Sequence, residues 1–296
     1  MGMSFYFIRH GKTLFNSLHK VQGLCDSPLI DEGVSAARAI GAKLAEIEFA
    51  SAYASDKGRA CQTLAELLDA RAIARGEKIV PRATHKPFEP LVDTDPIRSA
   101  ASTCTLDYAE SSFANSREPL PSASPSTDSA AIWLDALRES LSTKSALVVA
   151  GLPLRTDWRL REWCYGDLEM GPGEMLHRRL AEGFGEELSF AEENERLPET
   201  ADNLARLDAS GRAERFADIE KRVRSFLTEI GDATLAAGGG NVLATTHAFT
   251  IRTLMYLLDP TRINDPLIIA NGSLTRIDYD GKRFDLRETG ALEPWS

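Results

Sequence analysis

The feature that most constrains this chain is a change of period repeated within its first 75 residues. "SFYFI" (Ser4–Ile8) is a short aromatic and apolar run with strand character. "SPLIDEGVSAARAIGAKLAEI" then sets Val34, Ala37, Ile40, Leu44 and Ile47 at helical spacing, with Asp31 as the expected N-cap. "FASAYASD" returns to strand and ends at Ser55-Asp56; "GRACQTLAELLDARAI" returns to helix, with Leu64, Leu67 and Leu68 on one side. Strand, helix, strand, helix calls for crossover connections, which give parallel neighbours and an α/β fold around a mainly parallel sheet.

The alternation stops near Val80. From Lys86 to Ser145 the chain is rich in Pro, Ser and Ala, and "SREPLPSASPSTDS" reads as a flexible loop. "AAIWLDALRESL" is a short helix and "ALVVAGL" a strand. We read 86–145 as an insertion, a lid or surface excursion, in a single domain spanning 1–296. Order returns with a long helix in "GRAERFADIEKRVRSFLTEIGDATLAA", where Phe216, Ile219, Val223, Phe226 and Ile230 share one face. "GGGNVLATTH" gives a glycine turn and a buried strand ending at His247, "FTIRTLMYLL" is a helix, and "SLTRIDYDGKRFDLRE" a hairpin closed at Asp280-Gly281.

Bulk properties exclude several function classes. The net charge of −10 argues against nucleic-acid partners, because a phosphate backbone demands a basic face. No apolar run approaches the roughly 20 residues that span a bilayer, and no export signal is evident. Cys25, Cys61, Cys104 and Cys164 are scattered, without a C-x-x-C pair, which fits a reducing cytoplasm better than a zinc site or disulfide framework. No G-x-x-x-x-G-K-[ST] occurs, and Gly238–Gly240 precede a strand instead of opening a helix, so a nucleotide-binding loop is not expected.

Three strands end in residues that suit one chemistry. The first ends at Arg9-His10-Gly11, the second at Ser55-Asp56 with Arg59 just beyond, the late one at Thr246-His247. Ligands of open α/β sheets bind outside the carboxyl ends of the strands, beside helix N-termini that attract anions. If these strands are neighbours, Arg9, His10, Arg59 and His247 form a phosphate pocket. Arg9 would bind the anion, Gly11 would let the backbone approach it, and a neutral His10 could attack it.

At this point the chain resembles the histidine phosphatase superfamily, which includes the cofactor-dependent phosphoglycerate mutases. Five blocks carry the resemblance, in the family's order: "IRHGKTLFN" (Ile8–Asn16), "QGLCDSPLIDEG" (Gln22–Gly33), "ASDKGRACQTLAE" (Ala54–Glu66), "RLREWCYGDLE" (Arg159–Glu169) and "ATTHAFTIRTL" (Ala244–Leu254). The resemblance implies a three-layer α/β/α sandwich. It implies His10 as nucleophile, forming a phosphohistidine, with Arg9, Arg59 and His247 on the phosphoryl oxygens and Asn16 adding a hydrogen bond. Glu162 becomes the proton donor and later the base, with a raised pKa. No metal or other cofactor is implied, since the arginines neutralise the charge. His19, His85 and His177 are read as surface or structural, and Lys12, Arg252, Arg178 and Arg179 as solvated.

The chain departs from the family at three places. Ala248 follows the second histidine where glycine is usual, or aspartate in the subclass that uses it as the acid; Lys12 replaces an acidic or polar residue; Met170 replaces a glycine. The expected function is metal-independent hydrolysis of a small-molecule phosphate monoester, with specificity set by the insertion and by Met170–Leu197. A phosphoglycerate mutase is the alternative, although such mutases carry an arginine directly after the glutamate and this chain has Trp163. A non-catalytic phospholigand binder is the third reading.

Overall fold

The computed structural model describes residues 2–77, 147–149 and 152–292. The expected insertion at 86–145, with its short helix, and His85 lie outside the described residues. The strands are β1 (Met3–Arg9), β2 (Phe49–Ala54), β3 (Leu147–Val149), β4 (Leu152–Thr156), β5 (Gly240–Thr246), β6 (Leu274–Tyr279) and β7 (Phe284–Ala291). The helices are α1 (Leu14–Ser17), α2 (Asp31–Lys43), α3 (Gly58–Ala74), α4 (Gly173–Phe184), α5 (Phe190–Glu195), α6 (Leu197–Leu207), α7 (Phe216–Ala236) and α8 (Ala248–Leu258).

The strand alternation divides the apolar residues between two cores. Phe5 and Phe7 of β1, with Val242 and Ala244 of β5, face Ile219, Val223, Phe226 and Ile230 of α7 and Ile251 and Leu254 of α8. Tyr6, Ile8 and Leu243 face the other way, onto Ile40 of α2 and Cys61, Leu64, Leu67 and Leu68 of α3. A strand covered on both faces reads as an unbroken apolar run, as β1 does. Each fully buried Phe, Ile or Leu contributes about 1.5–3 kcal/mol, so the two cores fix which face of each strand points where. The result is the expected three-layer sandwich.

The sheet runs β3-β4-β2-β5-β1-β6-β7. The central four strands, β4, β2, β5 and β1, are mutually parallel. The edges are antiparallel. Register brings the strand ends level: Arg9 pairs with Thr246, and Ala54 with both Thr245 and Thr156. One rim of the sheet therefore collects the residues that follow β1, β2, β4 and β5.

Local details differ from expectation in three places. Helix α2 is preceded by Ile30, which offers no capping side chain; Asp31 lies inside the first turn with Glu32, where negative charge complements the helix dipole. "ALVVAGL" is divided between β3 and β4, which pair antiparallel. Three helices, α4 to α6, occupy a stretch without a recognised motif. Ser189 and Glu192 form a reciprocal capping box at α5, a signal legible in "SFAE". Gly238, Gly239 and Gly240 turn into β5 at φ of +108°, +87° and +129°, as a glycine turn requires.

Candidate active site

His10 and His247 follow adjacent parallel strands, so their rings meet at the rim, with centroids 5.2 Å apart. The His10 backbone N–H continues the ladder to Thr246 O at 2.9 Å. His10 Nδ1 donates to its neighbour's carbonyl, Gly11 O, at 2.8 Å. That bond sets the tautomer: the proton is on Nδ1, and Nε2 keeps its lone pair. His247 Nε2 lies 2.8 Å from Ser55 Oγ. Ser55 Oγ also accepts the Lys57 N–H at 3.4 Å; when its own proton goes to Nε2, the His247 proton sits on Nδ1. His247 Nδ1 is buried without a partner among the described residues.

Both imidazoles are neutral. Burial pushes the His10 pKa well below 6.5, and Arg59 and Arg9 push it further. Burial likewise lowers His247, helped by Arg59, His10 and Lys57.

The two arginines are buried at the same rim, Arg59 at 1% exposure. Arg9 Nη1 donates to Ile269 O at 2.5 Å, and its Nε has no partner. Burial lowers the Arg9 pKa to about 10, leaving it charged at neutral pH. Arg59 is committed further than the sequence implied. Its Nη1 bonds Cys25 O (2.8 Å) and Asp26 Oδ1 (3.1 Å), and its Nη2 bonds Gln22 O (3.3 Å) and Gly23 O (2.8 Å). Only its Nε lacks a partner. Arg59 thus offers an anion one N–H and its charge rather than the whole fork.

Glu162 reaches the rim from β4 and is 5% exposed. Its Oε2 accepts the Phe249 N–H at 3.1 Å; its Oε1 accepts those of Thr250 (3.0 Å) and Trp163 (3.1 Å). Two of these amides open α8, whose first turn has no intrahelical acceptors for them. Burial raises the Glu162 pKa, against the amide bonds and Arg59 and Arg9, which lower it. Asn16 uses its Oδ1 on the Thr13 N–H (3.2 Å) and the Asn271 side chain (3.3 Å), so only its amide nitrogen remains for a ligand.

One reading is corrected, that of Arg252, and the need for Gly11 gains a second cause. The Gly11 N–H bonds Thr63 Oγ1 at 2.9 Å. The glycine is needed on the other side: a Cβ there would stand 2.7 Å from Gly33 O. Arg252 is not solvated. It is 2% exposed and donates to the carbonyls of Ile263, Pro266 and Leu267, because the loop leading to Ile269 buries it.

Other residues had gone unrecognised. Glu169 accepts the N–H groups of Gly23, Leu24, Cys25 and Tyr165 at 2.9–3.0 Å, fixing the loop whose carbonyls grip Arg59. Asn271 Nδ2 supports His10 O at 2.9 Å. Glu169 has no sequence signal beyond its block and Asn271 lies outside all five, since the loop amides of Gly23–Cys25 and the His10 carbonyl that they hold are far along the chain.

Two imidazoles, two buried guanidiniums and a buried carboxyl thus lie at one rim of the sheet. The model of the histidine phosphatase superfamily (branch 1) matches residues 5–78 and 135–291, and the chain belongs to that superfamily. A protein of Erwinia tasmaniensis named "Probable phosphoglycerate mutase GpmB" is 35% identical over 65 residues, 22% of this chain and 30% of that protein. The match thus spans under a third of that relative's length.

Among solved structures, a phosphoglycerate mutase from Bacillus anthracis superposes with a TM-score of 0.67 at 23% identity, covering 98% of this chain and 94% of that one. The alpha-ribazole phosphatase from Shigella flexneri gives 0.54 at 17% identity, over 98% and 97%. A mycobacterial glucosyl-3-phosphoglycerate phosphatase gives 0.56 at 17% identity, over 98% and 100%. These are likenesses of fold. Among the described residues, no helix is long and apolar enough to cross a membrane.

Proposed function

We propose that this chain hydrolyses a phosphate monoester of a small molecule through a phosphohistidine at His10, without a metal. The observation that carries the reading is the set of unpartnered buried groups beside the free His10 Nε2: Arg9 Nε, Arg59 Nε and His247 Nδ1. Buried donors without acceptors are costly, and a phosphoryl group satisfies all three. His10 Nε2 attacks phosphorus; the ester P–O bond breaks as Glu162 gives its proton to the leaving oxygen. Water then attacks phosphorus and the P–N bond breaks, returning the electron pair to Nε2. The Glu162 carboxylate takes the water's proton, and inorganic phosphate leaves. Arg9, Arg59 and His247 balance charge on the equatorial oxygens, and Asn16 adds a hydrogen bond from its amide. Ala248 has no proton to give, so Glu162 carries that role.

Phosphoglycerate mutase activity is the second reading, favoured by the named relatives. Against it, the position after Glu162 is Trp163, which is 2% exposed and bonds Thr253 Oγ1 through its indole N–H. It offers a substrate no cation. The test is phosphate release from an activated aryl phosphate and a panel of metabolite phosphates without added metal. Wild type releases phosphate; His10→Ala, shown folded by circular dichroism, releases none. Release from the folded variant defeats the His10 assignment. Isomerisation of phosphoglycerate outpacing hydrolysis establishes the mutase, and a wild type that neither turns over nor forms phosphohistidine is a binder.

A further inference from the structure

Glu162 belongs to no helix or strand. It lies between two single 3-10 turns, Trp158–Leu160 and Gly166–Leu168. A carboxyl used to move protons needs a defined place, and an ion pair between Arg222 of α7 and Glu214, just before that helix, borders this segment. Arg222 is 3% exposed. Its Nη1 donates to Arg159 O (2.8 Å) and Arg161 O (2.7 Å), and its Nη2 to Glu162 O (3.3 Å) and Glu214 Oε2 (3.1 Å). Its Nε donates to Glu214 Oε1 at 2.8 Å. Glu214 Oε2 in turn accepts the Cys164 N–H at 3.0 Å. All five guanidinium N–H groups are used, and together the pair holds three carbonyls and one amide within residues 159–164.

The same segment is tied to α8 from the other side. Thr250 Oγ1 donates to Arg161 O at 2.6 Å, and the Thr250 N–H holds Glu162 Oε1. Backbone clamp and side-chain cradle therefore meet at Glu162.

We propose that Arg222, locked by Glu214, is the positioning residue that sets the Glu162 carboxyl against the start of α8. This rests on the reading of Glu162 as proton donor. Arg222 hydrogen-bonds only backbone carbonyls and Glu214, not the groups that would hold the phosphoryl oxygens; its charge also reaches His247, which the charge-conserving lysine variant keeps out of the comparison. Lysine cannot replace it. An ammonium is a point charge and cannot serve three carbonyls and a carboxylate from one plane.

The experiment compares Arg222→Lys, Glu214→Gln and Glu162→Gln on an activated aryl phosphate and an alkyl phosphate, with inorganic phosphate as inhibitor. A displaced acid hurts only poor leaving groups. Arg222→Lys is expected to lower kcat on the alkyl phosphate about 10–100-fold, a fraction of what losing a positioned acid costs. It should leave the aryl phosphate within about threefold and the phosphate inhibition constant unchanged. Glu214→Gln should show the same split, more weakly, and it carries the test if Arg222→Lys does not fold. Equal losses on both esters, or no loss, overturn the proposal. If Glu162→Gln separates the two esters and neither clamp variant does, only the role of Arg222 falls. If Glu162→Gln does not separate them, Glu162 is not the donor and both readings fall.

Discussion

Glu162 and Glu169 stand at opposite ends of one short segment, and both are carboxylates resting on backbone N–H groups. Glu162 is buried, beside two arginines, on amides that open a helix. Glu169 is half-buried, on amides of the 22–26 loop and of Tyr165. One carboxyl lies within charge reach of Arg59 and Arg9; the other rivets a loop so that its carbonyls meet Arg59. The same chemical device serves the proposed proton donor in one place and holds a loop in the other.

Substitution should separate the two. Glu162→Gln is expected to lower turnover about 10²–10⁴-fold on poor leaving groups, the range for losing a positioned acid, with phosphate inhibition unchanged. Glu169→Gln turns an NH2 toward backbone N–H groups and is expected to cost about 1–3 kcal/mol of stability. Through Arg59, it should weaken phosphate inhibition equally whatever the leaving group. Denaturant titration and inhibition constants measure both; swapped patterns would reverse the assignment of the two glutamates.

Titration sharpens the contrast between imidazoles and carboxyl. His10 and His247 have folded pKa values well below the ordinary 6.5, so below that pH the unfolded chain binds more protons than the folded one. Their stabilisation is present above about pH 6.5 and is lost as pH falls below it, by up to about 1.4 kcal/mol per pH unit for each imidazole. Glu162 has the opposite sign. Its folded pKa is raised above 4.5, so its contribution is present at low pH and lost as pH rises through the folded value. Denaturation midpoints at pH 7.5 and 5.5 should fall for wild type and fall less for His10→Gln; parallel declines would mean that His10 is not held neutral by the fold.

The smallest effect concerns Met170, which sits at φ +66°. A side chain in that region costs about 1–2 kcal/mol, partly offset by the greater unfolded entropy of glycine. Met170→Gly is expected to raise stability by under about 1 kcal/mol, read as a small upward shift in Tm.

The strand-end half of the site was legible because strands declare themselves by local apolar runs, and whatever follows them is placed by ladder register. Arg9, His10 and His247 needed only that β1 and β5 be neighbours. The same logic could not reach Arg222, Glu169 or Asn271, whose partners are backbone groups 60 to 261 positions away. Helices α4 to α6 escaped for a related reason. Their apolar faces are thin, with Leu180, Leu197, Ala201 and Leu204 buried among many charges, and only the Ser189–Glu192 cap marks a start. Gly11 was legible as necessary, but its purpose, clearance for Gly33, lies in a tertiary contact.

Strand β5 fills the slot between β1 and β2, although it is made some 185 residues after β2 ends. A nascent chain leaving the ribosome therefore carries its first two strands with a gap where their shared neighbour belongs. Until Thr246 emerges, Arg9 and Ala54 have no common partner and the anion-holding rim does not exist. His10, the proposed nucleophile, is among the first residues synthesised, yet its neighbour His247 follows only when synthesis is almost finished.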